Sequence, residues 1–268
     1  MYLSCLLVNS GQNPDRPRPG RAWLRNLYLV HQRLWMAFPS PAKKLDDPDF
    51  LKPYDPCDFA RASGNEESAV RESFLFRLDP QPGSRVVILA QSKTEPDWDY
   101  AFCNADHLLA CRPEVKPFEP AFEKDSILRF RIRVNPVRSR VREKAQRGRR
   151  HDVVMNAKKQ LQENPGAEAP DNLVRTEGLA WLKARAERHG FRVRDDDVRV
   201  SGYRQQRLLK PGRQGRAGDR EERQIRFSTL DYDGLLTVAD APLFLATLKQ
   251  GIGSAKGFGC GLLLVRRV

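Results

Sequence analysis

The 268-residue sequence predicts an α+β fold of two βαββαβ units in tandem, the ferredoxin-like arrangement. Three observations carry that expectation. The chain opens on an apolar, strand-like run, Met1 to Asn9, followed by an amphipathic helix. Two apolar runs flank a Pro- and Gly-containing turn at residues 74–89, the pattern of a hairpin. A second series of alternating strand, helix, hairpin and helix begins at Ser126. The expected division is therefore 1–124 and 125–268, and the length suits two domains of ordinary size.

In the first unit, residues 11–20 hold three prolines and two glycines and read as a loop. Asn26 is placed to cap a helix over Leu27–Phe38, where Leu27, Val30, Leu34 and Phe38 share one face. Pro39 and Pro41 stop it. Residues 40–70 are rich in Pro and Asp and read as an inserted loop. Phe74–Leu78 and Arg85–Leu89 form the hairpin, and a short helical or loop stretch spans Asp106–Cys111. A strand near Lys116–Phe122 completes the unit.

In the second unit, Ile127–Val134 alternates apolar and basic residues, so one face is buried and the other carries Arg129, Arg131 and Arg133. Residues 138–172 read as a mobile basic stretch. A helix follows over Arg175–Arg188. Val198–Leu209 and Gln224–Leu230 read as strands around the turn Pro211–Gly218, and Tyr232–Val238 as a further strand or hairpin arm. Asp240 caps a helix to Gln250, Pro242 sits in its first turn, and Gly251 ends it. Leu262–Val265 is the last strand, and Asp195–Asp197 reads as a turn rather than a metal site.

Composition narrows the classes of function. Forty per cent of the residues are hydrophobic, enough for a core, and no apolar run is long enough to span a bilayer. The opening lacks the charged start of a signal peptide, so the expected location is the cytoplasm. Five scattered cysteines without a CxxC pair favour reduced thiols over disulfides or zinc. The net charge is +13, and the cations are clustered. Ten Lys or Arg and one acid lie between Arg129 and Arg150, and eight more against three acids between Arg204 and Arg226. Clustered cations displace the counterions of successive phosphates, which points to nucleic acid. There is no helix-turn-helix or finger signature to favour a DNA-binding regulator.

Two stretches carry chemistry. Tyr28 and His31 stand three residues apart on a helix and share a face that Trp35 continues. Cleaving RNA without a metal uses the substrate's own 2′-hydroxyl as nucleophile and needs groups to take and return a proton. Imidazole suits either role, and tyrosine suits positioning by hydrogen bonds. The second stretch, Gly251 to Gly261, holds five glycines and Lys256. Glycines let backbone amides approach a phosphate. The stretch follows a helix and leads into a strand, and Lys256 precedes Gly257, so it is neither a dinucleotide loop nor a P-loop. Arg204, Arg207, Lys210 and Arg213, on a candidate basic hairpin, suit an RNA groove. Arg33 on the first helix and Arg138 after the arginine strand complete the candidate RNA contacts with Gly251, Gly253, Gly257 and Gly259.

The opening Met1–Ser4, the helix from Asn26 to Trp35, the strand from Leu128 to Pro136 and the tail from Gly251 to Leu263 resemble, in that order, the CasE endoribonucleases of type I-E CRISPR systems. The resemblance implies two ferredoxin-like domains of the RAMP type. It implies binding of a CRISPR repeat stem-loop and cleavage at the base of its stem with no metal or cofactor. The products would carry 5′-hydroxyl and 2′,3′-cyclic phosphate ends. The enzyme would stay on the mature crRNA and join the other Cascade subunits. The family's catalytic histidine corresponds to His31 and its tyrosine to Tyr28, and Gln32 stands where some members carry a basic residue. A non-catalytic RNA-binding subunit on the same fold would share the basic clusters and the glycine stretch, and would differ at His31.

Overall fold

The computed structural model describes all residues except 12–17, 56–57, 59–73, 83–84, 141–148, 165–169 and 211–222. The described residues fall into two compact units. One is Met1–Glu119 with Leu208–Arg223 and Gly257–Gly259; the other is Pro120–Arg207, Gln224–Lys256 and Cys260–Val268.

The first unit runs β1 (Tyr2–Val8), α1 (Pro19–Leu24), α2 (Leu27–Trp35), α3 (Pro41–Asp46), β2 (Leu75–Pro80), β3 (Val86–Ser92), α4 (Trp98–Phe102) and β4 (Glu114–Pro117). Its antiparallel sheet has the order β2–β3–β1–β4, the strand order of a ferredoxin-like βαββαβ unit. Along β1 the alternate residues Ser4, Leu6 and Val8 are buried. Ser4 Oγ accepts from the Trp98 indole at 3.0 Å, so the one polar residue of that row has a partner.

Asn26 caps α2 as expected, its side chain accepting from Tyr28 N, and Val30 and Leu34 are fully buried. The helix ends at Trp35, before Phe38. Met36, Ala37 and Phe38 close with tighter bonds to the residues three back, and Pro39 has no N–H to continue. The loop expected over residues 40–70 is corrected in its described part. Ser40 caps α3, and Lys43 is buried with its ammonium 2.9 Å from Asp47 and 3.1 Å from Asp58. Phe50 packs beneath it. A lysine with two carboxylate partners is tolerated inside, which composition alone does not disclose.

The second unit runs β5 (Ile127–Val134), β6 (Val137–Arg140), β7 (Arg149–Asp152), α5 (Val153–Glu163), α6 (Leu173–Ala186), β8 (Phe191–Arg192), β9 (Val198–Lys210), β10 (Arg223–Val238), α7 (Ala241–Gln250) and β11 (Leu263–Arg267). Its sheet has the order β11–β5–β10–β8, with β9 also paired to β10. The core holds Phe130, Ile132, Trp181, Phe191, Tyr232 and Phe244. Each such side chain contributes roughly 1.5–3 kcal/mol on burial.

Two expectations are corrected here. Tyr232–Val238 is not a separate arm: β10 is continuous, paired with β5 from Leu230↔Val134 to Thr237↔Ile127. Residues 138–172 are not one mobile stretch. β6 and β7 pair as a two-stranded ribbon, and α5 follows with Val153, Val154 and Ala157 buried. Asp195–Asp197 forms a short 3₁₀ turn, as expected. No described helix is long and apolar enough to cross a membrane.

Candidate active site and nucleic-acid interface

The capped helix α2 brings Tyr28 and His31 onto one face, both half-buried. The His31 ring lies in an aromatic cradle, with centroids at 5.1 Å from Phe74, 5.6 Å from Trp35 and 6.1 Å from Phe76. Gly257 approaches the ring's other edge: a Cβ there would lie 3.5 Å from Cε1 and 3.6 Å from Nε2. Burial pushes the imidazole pKa down to about 4, so the ring is neutral at neutral pH. Nδ1 is buried and has no hydrogen-bond partner among the described residues, which leaves Nε2 as the nitrogen available to a substrate. A neutral imidazole is placed to accept a proton, and once charged it can return one.

Tyr54, which the sequence did not single out, neighbours Tyr28. Burial, then the neighbouring Tyr28, then Asp55 push its hydroxyl pKa up to about 12. It sits in the Pro- and Asp-rich stretch, where no periodicity marks it.

Arg33 is engaged within the fold. Its Nη1 donates to Ala101 O and to Asn104 Oδ1, both at 2.9 Å, and burial lowers its pKa. Two residues on from His31, it points to another side of the helix and ties α2 to the end of α4.

Four glycines of the stretch answer a backbone requirement. Gly251, Gly253, Gly259 and Gly261 all hold positive φ, so the backbone itself requires them. Gly257 does not; its small size matters against His31. Lys256 donates to Gln250 O at 2.5 Å, satisfying a carbonyl at the end of α7. One of its three N–H donors is thus used within the fold, and burial lowers its pKa.

The arginine row of β5 projects from the sheet's exposed face as expected, yet it carries acids from β10. Asp233 accepts from Arg129 at 3.2 Å and Arg131 at 3.1 Å, and Asp231 from both Nε and Nη2 of Arg133 at 2.9 Å. Arg266 of β11 stands directly opposite Arg129. Arg138 on the β6–β7 ribbon and Arg204 and Arg207 on β9 are exposed. Lys210 closes β9, and Arg213 lies outside the described residues.

Two ferredoxin-like units, exposed arginines on strands and a neutral imidazole beside a glycine stretch define a nucleic-acid-handling protein of tandem ferredoxin-like architecture. Residues 1–267 match the family model described as CRISPR associated protein. The chain belongs to that family, and within it to the CasE/Cse3 type I-E group. It is 29% identical over 245 residues to the CRISPR-associated endoribonuclease Cse3 of Thermus thermophilus, covering 91% of this chain and 99% of that protein. It is 26% identical over 265 residues to the Cascade subunit CasE of Escherichia coli, covering 98% of each. Among solved structures, CRISPR endoribonuclease Cse3 bound to a 19-nucleotide RNA superposes with a TM-score of 0.64 at 26% identity, over 99% of this chain and 100% of that one.

Proposed function

We propose that the chain is a metal-independent endoribonuclease that cuts CRISPR repeat RNA at the base of its stem-loop. The observation that carries this is the neutral, half-buried His31, its Nε2 edge open beside Gly257, on the helix that also bears Tyr28. In this reading Nε2 takes the proton of the 2′-hydroxyl before the scissile phosphate. The 2′-oxygen bonds to phosphorus, the bond to the 5′-oxygen breaks, and that oxygen takes up a proton. The ends are a 2′,3′-cyclic phosphate and a 5′-hydroxyl. Tyr28 positions the phosphate or the nucleophile by hydrogen bonding. Exposed arginines on β9 and on the β6–β7 ribbon hold the strand through its phosphates. The enzyme stays on the mature crRNA and joins other Cascade subunits in the cytoplasm.

The test is the purified protein with its host's own repeat RNA, with and without chelator. His31→Ala is expected to slow single-turnover cleavage by at least about a hundredfold while repeat binding survives. One 2′-deoxy substitution before the scissile phosphate should block cutting, and chelator should not. Cleavage lost to EDTA, or undiminished in His31→Ala, would overturn the mechanism.

A further inference from the structure

The N-cap of α2 makes a bond that capping does not require. Asn26 Oδ1 accepts from Tyr28 N at 3.1 Å, while its Nδ2 donates to the backbone carbonyl of Leu209 at 3.0 Å, near the end of β9. The partners fix the amide's orientation, since a backbone N–H must meet the oxygen and a carbonyl must meet the NH₂. Ser, Asp, Thr and Asn all cap a helix, but only Asn among them adds an amide donor. Elsewhere this chain caps helices with Ser40, Asp97, Asp152 and Asp240, which have no such donor, and with Asn172, which caps α6 through its oxygen in the same way. The neighbouring Leu208 is 4% exposed, so the end of the strand is anchored by apolar burial as well. Leu208 and Leu209 belong to the same compact unit as α2. In sequence they directly follow Arg204 and Arg207, the exposed cations of β9.

We propose that Asn26 is a positioning residue that latches the end of strand β9 to the start of the catalytic helix. The bond holds the first turn of the helix that carries Tyr28 and His31 against the end of β9 within one compact unit. This rests on the endoribonuclease reading above. The latch matters because a proton transfer from a 2′-hydroxyl tolerates little misplacement of the acceptor, and a shift of about 1 Å costs up to about a hundredfold in rate.

Asn26→Asp and Asn26→Ser separate the two bonds, since both keep an oxygen for Tyr28 N and both lack the amide NH₂ that reaches Leu209 O. Serine also avoids placing a charge beside that carbonyl. Each variant is expected to keep the wild-type thermal midpoint and the wild-type affinity for an uncleavable 2′-deoxy repeat. The single-turnover rate constant at saturating RNA should fall about tenfold. Asn26→Ala, which loses the cap as well, should lower the midpoint too. Wild-type cleavage rates in both conservative variants would overturn the latch. So would a parallel fall of midpoint, affinity and rate, which would make Asn26 a cap and nothing more. A wild-type protein that binds the repeat and leaves it uncut would remove the endoribonuclease reading, and the latch with it.

Discussion

His31 links the chemistry to the stability of the chain. Its pKa falls from an ordinary 6.5 to about 4 because burial disfavours the charged ring. Between those values the unfolded chain binds a proton that the folded chain refuses. Stability from this group is therefore full above about 6.5 and is lost as pH falls towards 4. His31→Phe, which keeps a ring in the cradle and does not titrate, should flatten that part of a thermal-midpoint-versus-pH curve. An equally steep curve in the variant would assign the loss to other groups. The pairing of Tyr28 with His31 was legible in the sequence because helix geometry alone puts residues three apart on one face. The use of Arg33 was not. Its acceptors, Ala101 and Asn104, lie 68 and 71 residues further along the chain.

At the scale of elements, α5 shows what local reading misses and why. Residues 153–163 carry lysines and glutamines around most of the helix, and only Val153, Val154 and Ala157 are buried. That apolar stripe is too narrow to stand out from a basic stretch. The start of the helix is nevertheless well determined. Asp152 Oδ1 accepts from Met155 N at 2.7 Å and from the Tyr203 hydroxyl at 3.1 Å, so one carboxylate caps α5 and fastens it to β9. Asp152→Ala should cost about 1–2 kcal/mol. Urea unfolding would read this as a lower midpoint at unchanged slope, and an unmoved midpoint would show that α5 contributes nothing to global stability. The α7 region was read correctly, cap to cap, because Asp240, Pro242 and Gly251 each act on the backbone within four residues of themselves. The same contrast separates the hairpin at residues 74–92, marked by its own turn, from α3, which depends on Lys43 meeting Asp58 across a Pro-rich stretch.

For the whole molecule, the net charge of +13 says that polyanions are attracted, but where they are held depends on charges brought together by folding. Read along the chain, Arg129, Arg131 and Arg133 are an unbroken cationic row. In the folded sheet Asp233, 104 residues from Arg129, bridges two of them, and Asp231 takes the third. Burial works to raise the pKa of Asp233, yet the bonds from Arg131 and Arg129 hold it below the usual carboxylate range, so it stays ionised and offsets the row at neutral pH. Asp233→Asn keeps an oxygen for one guanidinium and removes the offsetting charge. If the row lies along the RNA path, the substitution adds cationic charge facing phosphate. In a His31→Ala background, where the repeat stays uncut, affinity should then rise at low salt. The slope of log K against log salt should steepen by roughly 0.7–0.9 for each further phosphate neutralised. An unchanged slope would take the RNA off this sheet face and leave its grip to the exposed Arg204 and Arg207 of β9 and Arg138 of the ribbon. Substituting those three would then flatten the slope, whereas substituting Arg129 and Arg131 would not.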